Sequence, residues 1–365
     1  MPERGATPNV PVRRRAVLRF LNRFTAPLLI DDYLELFNPL WSSRELRGKV
    51  EHIERQTEDA CSIVIKPGWE WEGHEPGQYL RIGFDIEGRR HWRAYSLTSD
   101  PADPEGNISI TVKNAEGGAV SPYIVRKLRE GSIVTLGEVT GQFTLPREVP
   151  DKLLFISAGS GITPIMSMIR DLADKDELVD TIHIHSARTS ESVIFGDELR
   201  KLDKRRSGFT LHEQHTGENG RFGPGGLEER VPDWTERLTF ISGPSEMLDD
   251  FVAHWEEHGD PELLNLERFQ PVYGEGGDEG DGGRVRFATS DKEAEAEPGQ
   301  SILVAGEELG LDLPYGCRMG ICHTCVCSIA SGNVRDLRSG EVSDASGQSI
   351  RICINAPEGA VEVEA

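Results

Sequence analysis

Pro314-Tyr315-Gly316-Cys317-Arg318-Met319-Gly320-Ile321-Cys322-His323-Thr324-Cys325 is a loop whose cysteines call for a metal. Three of them are spaced C-x4-C-x2-C, and Cys353 follows after 27 intervening residues. This is the spacing of a plant-type [2Fe-2S] site. Two irons need four thiolates; three can come from one tight loop while the fourth closes from another strand. Gly316 and Gly320 permit the turns that bring backbone N–H groups towards sulfur. Zinc competes for thiolates, but structural zinc sites pair C-x2-C with a second pair, and His323 has no mate within the loop. Cys317, Cys322, Cys325 and Cys353 are therefore the candidate ligands. Cys327 is expected to be a buried neighbour, and Cys61, alone on a predicted strand, a core residue.

Just upstream, Gly274–Gly283 has six glycines and no apolar residue, which reads as a flexible linker. Residues 284–365 beyond it form a compact unit, and the linker would let that unit swing. Before the linker, Lys152–Ile156 is a buried-strand run. A glycine turn follows it, then a helix over Pro164–Asp174, a strand over Thr181–His185, and a helix over Ser192–Lys204. Strands over Thr210–Gln214 and Leu238–Ile241 and a helix over Ser245–Glu257 complete the series. Alternation at this rhythm predicts a parallel sheet covered on both faces. Further upstream the pattern is of short strands: Leu46–Arg55, Cys61–Lys66, Tyr79–Phe84, Ala94–Leu97, Ile108–Val112 and Ser132–Leu136. With one helix over Ser121–Glu130, they predict a small antiparallel barrel. The expected domains are thus 46–148 (barrel), 149–270 (α/β), 271–283 (linker) and 284–365, preceded by an extension, 1–45.

The formal net charge of −22 argues against a nucleic-acid partner, because phosphate neutralisation needs a basic face. The charge is unevenly spread: residues 1–25 carry six Arg and one Glu, whereas 272–365 carry 17 Asp/Glu against 7 Lys/Arg. In the extension, Val17, Leu18, Leu21 and Phe24 follow helical spacing, with Arg15, Arg19 and Arg23 on another face. Such a stretch fits peripheral contact with an anionic membrane; a helix packed on the body or a frayed tail is the plainer alternative. No run approaches the ~20 apolar residues that span a bilayer. No cleavable signal is evident. A cytoplasmic location is the expectation, at the inner face of the membrane if the extension binds there, with a reducing milieu for thiolate ligands.

Two segments bear on nucleotide chemistry. Arg93-Ala94-Tyr95-Ser96-Leu97 ends a strand, and Gly117-Gly118-Ala119-Val120-Ser121 opens a helix about twenty residues later. Together they offer a guanidinium and free helix N–H groups to a flavin pyrophosphate. Tyr95 can lie against the ring or ribityl chain, and Ser96 can hydrogen-bond near N5. Gly159-Ser160-Gly161-Ile162-Thr163-Pro164 links strand to helix like a dinucleotide turn, with Pro164 where the last glycine would stand. Ser242-Gly243-Pro244 ends a later strand. His185-Ser186-Ala187-Arg188-Thr189 has an arginine and hydroxyls but no acid for a ribose 2′-hydroxyl. That favours a 2′-phosphate, hence NADPH over NADH, with Arg221 a second candidate for it. The plainer alternative for Arg188 is a solvated helix-entry charge.

Together the cysteine, flavin and nicotinamide segments resemble the ferredoxin–NADP reductase superfamily. More narrowly they resemble its multidomain members with a C-terminal ferredoxin domain, which serve oxygenases, hydroxylases and acyl desaturases. The resemblance covers Leu46 to the C-terminus. It implies a β-barrel flavin domain, an α/β nucleotide domain and a β-grasp-like α+β ferredoxin domain. It further implies FAD rather than FMN, and electron flow from NADPH through FAD and [2Fe-2S] to a terminal oxygenase. In this family Arg93, Tyr95 and Ser96 would hold the flavin, Gly118, Val120 and Ser121 the pyrophosphate, and Gly159–Pro164 the dinucleotide. Ser242 replaces the family's usual cysteine beside the nicotinamide, and Phe269, in Glu267-Arg268-Phe269, would cover the flavin. The extension, with Pro27-Leu28-Leu29-Ile30-Asp31-Asp32-Tyr33, resembles reductases paired with membrane-bound acyl desaturases. The reductase of a soluble ring-hydroxylating oxygenase is the alternative, and a non-enzymatic iron–sulfur sensor or scaffold a remote one.

Overall fold

The computed structural model describes residues 37–42, 44–115, 120–269, 280–311, 313–315, 320, 323 and 325–365. The amphipathic stretch of the extension, Gly117, Gly118, Cys317, Cys322 and most of the glycine linker lie outside the described residues. By Cα proximity the chain divides into two units, one of Met1–Arg90 and Tyr95–Glu267 and the other of His91–Ala94 and Arg268–Ala365. No helix among the described residues is long and apolar enough to cross a membrane.

The first sheet is built from β1 (Arg47–Arg55), β2 (Ala60–Pro67), β3 (Tyr79–Ile86), β4 (Arg89–Ser96), β5 (Ile108–Lys113) and β6 (Ile133–Thr140). Their order is β4-β3-β6-β1-β2-β5, and an antiparallel bridge from Leu97 to Ile110 brings the two ends together. Inward positions carry Val50, Ile63, Ile65, Leu80, Ile82, Ile110 and Val134, all essentially inaccessible. Each such side chain contributes roughly 1.5–3 kcal/mol by leaving water. Helix α1 (Val120–Arg126) is shorter than its sequence predicts. The N–H groups of Lys127 and Leu128 both turn to Tyr123 O, and Gly131, at φ +85°, delivers its N–H to Val50 O of β1 at 2.7 Å. Joining the barrel prevails over extending the helix.

The second sheet comprises β7 (Lys152–Ala158), β8 (Asp180–Ala187), β9 (Phe209–His215), β10 (Leu238–Gly243) and β11 (Leu264–Arg268), in the order β11-β10-β7-β8-β9. β10, β7, β8 and β9 pair in parallel. Helices α2 (Ile162–Asp174), α3 (Gly196–Arg205) and α4 (Ser245–His258) supply the cover. Leu153, Phe155 and Phe240 pack with Ile165 and Ile169 of α2 and Leu199 of α3, while Leu154, Ile156 and Ile241 pack with Leu248, Phe251 and Trp255 of α4. Helix α3 begins four residues later than the sequence predicts. Ser190–Ser192 forms a separate 3-10 turn capped by Thr189, and Phe195 takes a left-handed φ of 61° before the helix starts. The barrel is tied to this sheet by α2, whose Ser167 donates to Ser99 O at 2.7 Å and whose Arg170 donates to Thr98 O.

A charged anchor lies at the other end of the sheet. The Arg237 side chain, 5% exposed, bonds both oxygens of Asp233 and both of Asp180, as well as Leu153 O. Its guanidinium, first among the causes, draws the Asp233 carboxyl down to about 2. Removing the guanidinium takes away the Leu153 O bond and leaves two part-exposed carboxylates, of which Asp233 keeps Lys152. Arg237→Leu is therefore expected to cost about 1.5–3 kcal/mol in urea unfolding, against under about 0.5 kcal/mol for exposed Lys201→Leu.

The third sheet contains β12 (Gly283–Phe287), β13 (Lys292–Ala296), β14 (Val326–Asp336), β15 (Val342–Asp344) and β17 (Asn355–Val363), in the order β13-β12-β17-β14-β15, with β16 (Ser349–Arg351) also pairing β14. β12 and β17 are parallel, whereas β12–β13, β14–β15, β14–β16 and β14–β17 are antiparallel. Helix α5 (Ile302–Glu308) is capped by Ser301 and packs close, because Gly306 has no Cβ to meet Leu313 and Phe287. This is the expected α+β unit. The linker expected to run to residue 283 is shorter, since Gly283 already belongs to β12 and Gly282 O accepts the Gly359 N–H at 2.7 Å.

Candidate functional site

The carboxyl ends of β7 and β10 bring Gly159, Gly161, Thr163, Pro164, Ser242, Gly243 and Pro244 together. Ser242 stands opposite Ser157 in the parallel ladder. The turn closes on β10 so tightly that a Cβ on Gly161 would lie 2.1 Å from Ser242 O. Gly159 takes φ +55°, and Thr163 Oγ1 donates to Ser160 O at 2.9 Å, holding the turn onto the start of α2. Pro164 sits in the first turn of that helix, where its missing N–H costs nothing. The Ser242 hydroxyl and that of Ser186, at the end of β8, are buried without a hydrogen-bond partner among the described residues. Orphaned hydroxyls at the strand ends of a parallel sheet are what a bound dinucleotide would satisfy. The residues present fit that ligand.

Beside this turn lies a polar cluster that sequence reasoning missed. Ser157 Oγ is 2.8 Å from His183 Nε2 and 2.7 Å from His185 Nδ1, and all three residues are fully buried. The available signal was the alternation Thr181-Ile182-His183-Ile184-His185, which puts three polar residues on one face of a central strand. Burial lowers His185 to about 4 and His183 well below its usual range. Both stay neutral when folded, whereas in the unfolded chain they titrate near ~6.5. Their contribution is complete above that pH. It is lost on acidification, because the unfolded state then binds more protons, at up to about 1.4 kcal/mol per pH unit for each imidazole. The urea midpoint is expected to fall between pH 7 and 5, and a His183→Gln/His185→Gln variant to flatten that dependence.

Strand β4 carries Arg93, Ala94, Tyr95 and Ser96, with Leu97 immediately after it. Tyr95 meets Phe84 edge-on at 6.2 Å, which fixes a half-buried ring at the end of the strand, and Ser96 is buried beside it. Arg93 Nη1 reaches Trp92 O at 2.8 Å. Val120 and Ser121 open α1, and Ser121 Oγ accepts the Ala115 N–H at 3.1 Å, securing the chain between β5 and α1. Asn114 Oδ1, just after β5, is buried without a hydrogen-bond partner among the described residues. An orphaned acceptor next to the expected phosphate-binding turn agrees with a flavin site. Exposed Arg188 follows β8, and its carbonyl accepts the Gly217 N–H. Arg221 is exposed and paired with Glu246. Glu213 is held by Arg200 and His215. Phe269 is half-buried just beyond β11. Glu267 precedes it by two positions, and burial raises its carboxyl to about 7.

In the C-terminal unit, Cys325 and Cys353 are 1% and 2% exposed, and their sulfurs are 3.0 Å apart without forming a disulfide. Two thiolates on one tetrahedral iron or zinc stand about 3.8 Å apart, given metal–sulfur bonds of ~2.3 Å. A small opening would admit a metal, so this pair fits the expected ligand set. Cys327 is buried next to them, and burial followed by the Cys325 charge pushes its thiol up to about 11, so it stays protonated. Cys61 is buried in the barrel core.

Comparison with known proteins matches three domain families. Residues 62–144 match the oxidoreductase FAD-binding domain family, 155–253 the oxidoreductase NAD-binding domain family, and 285–358 the 2Fe-2S iron-sulfur cluster binding domain family. The chain belongs to the ferredoxin–NADP reductase superfamily, as a multidomain oxidoreductase with a C-terminal [2Fe-2S] domain. It is similar to the NADPH oxidoreductase of Mycobacterium tuberculosis, at 42% identity over 347 residues, covering 94% of this chain and 90% of the relative. The glycine betaine monooxygenase reductase subunit of Pseudomonas aeruginosa is 31% identical over 319 residues, covering 80% of this chain and 87% of the relative. Phthalate dioxygenase reductase has the same fold, with a TM-score of 0.57 at 22% identity, covering 87% of this chain and 97% of that one.

Proposed function

We propose that this reductase takes hydride from NADPH in preference to NADH and delivers electrons singly, through FAD and the cluster, to a terminal oxygenase. The observation that carries the reading is the convergence of Gly161, Ser242 and the Thr163–Pro164 helix start at one strand edge of a chain that also has flavin and cluster domains. When bound, the flavin accepts two electrons as hydride and releases them one at a time, which neither the nicotinamide nor any side chain can do. The protein's part is placement. The Gly159–Pro164 turn seats the dinucleotide, and Ser242 offers a small buried hydroxyl beside the nicotinamide. Ser96 and Tyr95 orient the flavin ring, with Phe269 its expected cover. Glu267, with a carboxyl near 7, can hold or release a proton at neutral pH. Cys317, Cys322, Cys325 and Cys353 hold the cluster.

NADPH preference is supported by Arg188 at the end of β8 and by Glu213, the nearest acid on β9, being engaged by Arg200 and His215. We expect kcat/KM to be at least tenfold higher for NADPH than for NADH, and Arg188→Ala to erase most of the difference. Equal values for the two nucleotides in the wild type would refute the preference. The oxygenase acceptor is supported by the glycine betaine monooxygenase and stachydrine N-demethylase reductase subunits among the relatives. The six arginines of residues 1–25 favour a membrane-bound acyl desaturase or hydroxylase as that acceptor. Binding of the full-length protein to anionic vesicles, lost on neutralising those arginines, would support it; a soluble oxygenase gains if vesicles are not bound.

A further inference from the structure

Arg351 closes β16 two residues before Cys353, and in the ladder it faces Val326, next to Cys325. Its Nη1 donates to Gly320 O at 2.7 Å. Gly320 lies between Cys317 and Cys322 in sequence. It is buried at φ +69°, and Ile354 stands where its Cβ would be. The Arg351 carbonyl accepts from Ile354 N at 3.1 Å and from Asn355 Nδ2 at 3.0 Å, which closes the turn that contains Cys353. Ile352 N, the next in sequence, donates to Cys325 O at 3.1 Å. Arg351 and Ile352 together thus join the segment of Gly320, the segment of Cys325 and the segment of Cys353.

Among the described arginines of this unit, Arg351 also differs in how its charge is paired. From Arg284 to Ala365 the chain has 13 Asp/Glu against 7 Lys/Arg. Arg284, Arg286, Arg335 and Arg338 are each paired with a carboxylate. Arg351 is half-buried and makes its bond to a backbone carbonyl, with no carboxylate among the described residues at ion-pair distance. Among the described residues no carboxylate offsets its positive charge, which lies two positions before Cys353 in the sequence of an acidic domain.

We propose that Arg351 is a positioning residue for the iron–sulfur cluster with two separable effects. Its hydrogen bond locks the three-cysteine loop to the Cys353 turn and slows loss of iron. Its uncancelled charge favours the reduced cluster, which carries one more negative charge, and so raises the reduction potential. This rests on the four cysteines being the ligands.

The test uses full-length holoprotein with two readouts. One is the reduced-to-oxidised ratio of the cluster in equilibrium with a redox dye at fixed poise, and the other is the rate of iron transfer to excess chelator. Arg351→Gln is expected to lower the ratio about tenfold, as removal of one nearby charge at intermediate dielectric would. The same variant should release iron at least tenfold faster. Arg351→Lys keeps the charge but not the planar fork, so its ratio should stay within about twofold of wild type while release is still accelerated. Arg284→Gln, remote on β12, should change neither. Unchanged ratio and release in Arg351→Gln would overturn the proposal, and so would Gln and Lys variants that lower the ratio equally. If Arg351→Gln does not hold its cluster, Arg351→Lys carries the test. A wild-type protein without a [2Fe-2S] spectrum would instead remove the ligand reading beneath it.

Discussion

Cys353→Ser is expected to reduce NADPH-dependent cytochrome c reduction at least 100-fold while leaving NADPH:ferricyanide activity within about threefold of wild type. Cytochrome c would receive its electrons from the cluster, whereas ferricyanide can take them from the flavin. The Cys353 sulfur is buried 3.0 Å from that of Cys325, in the one described place where two candidate ligands converge. Serine substitutes a hard, high-pKa oxygen for a soft thiolate, which iron–sulfur clusters tolerate poorly. Cys327→Ser is the internal control. That thiol is raised to about 11 by burial and remains protonated, so its replacement should leave the visible spectrum of the cluster intact. Equal loss of both activities in Cys353→Ser would mean that the variant had damaged the flavin end.

Gly161→Ala is expected to lower kcat with NADPH about 100-fold without loss of flavin. The backbone at Gly161 has an ordinary helical φ of −60°, so alanine brings no torsional penalty there. The difficulty is steric. Its Cβ would lie 2.1 Å from Ser242 O, 2.5 Å from Ser242 C and 2.8 Å from Gly243 N, all backbone atoms that no rotamer change can move. The turn and the end of β10 must part by roughly 1 Å, and misplacement on that scale near the reacting atoms costs on the order of 100-fold. Electrons supplied by dithionite bypass the nicotinamide, so chemical reduction of the cluster should be unaffected. A variant with normal NADPH turnover would mean that the Gly161–Ser242 contact plays no part in seating the nicotinamide.

The three architectures were legible because each rests on a local periodicity. Alternation in Ile63, Ile65, Leu80 and Ile82 marks barrel strands, and the unbroken Leu153–Ile156 run marks a central parallel strand. The C-x4-C-x2-C spacing identifies the cluster chemistry without reference to any fold. What escaped was set by tertiary competition. Helix α1 stops at Arg126 because Gly131 is recruited by β1, an interaction across some eighty residues of chain. β11 is short and half-buried throughout, so it lacks the apolar run by which a strand is recognised. His183 and His185 look like surface positions by residue type, and their shared contact with Ser157 Oγ, which satisfies one nitrogen of each ring, is visible only in the folded sheet. The Arg351–Gly320 bond joins residues 31 apart through a side chain and a carbonyl, a pairing that residue type alone does not announce.

The most direct test of the electron path is anaerobic addition of NADPH to the purified full-length protein, with flavin absorbance and the electron paramagnetic resonance of the cluster followed together. Bleaching of a bound flavin and appearance of a reduced [2Fe-2S] signal in the same molecules are expected, with slower reduction by NADH. A protein whose cluster is reduced by dithionite but by neither nicotinamide would contradict this path.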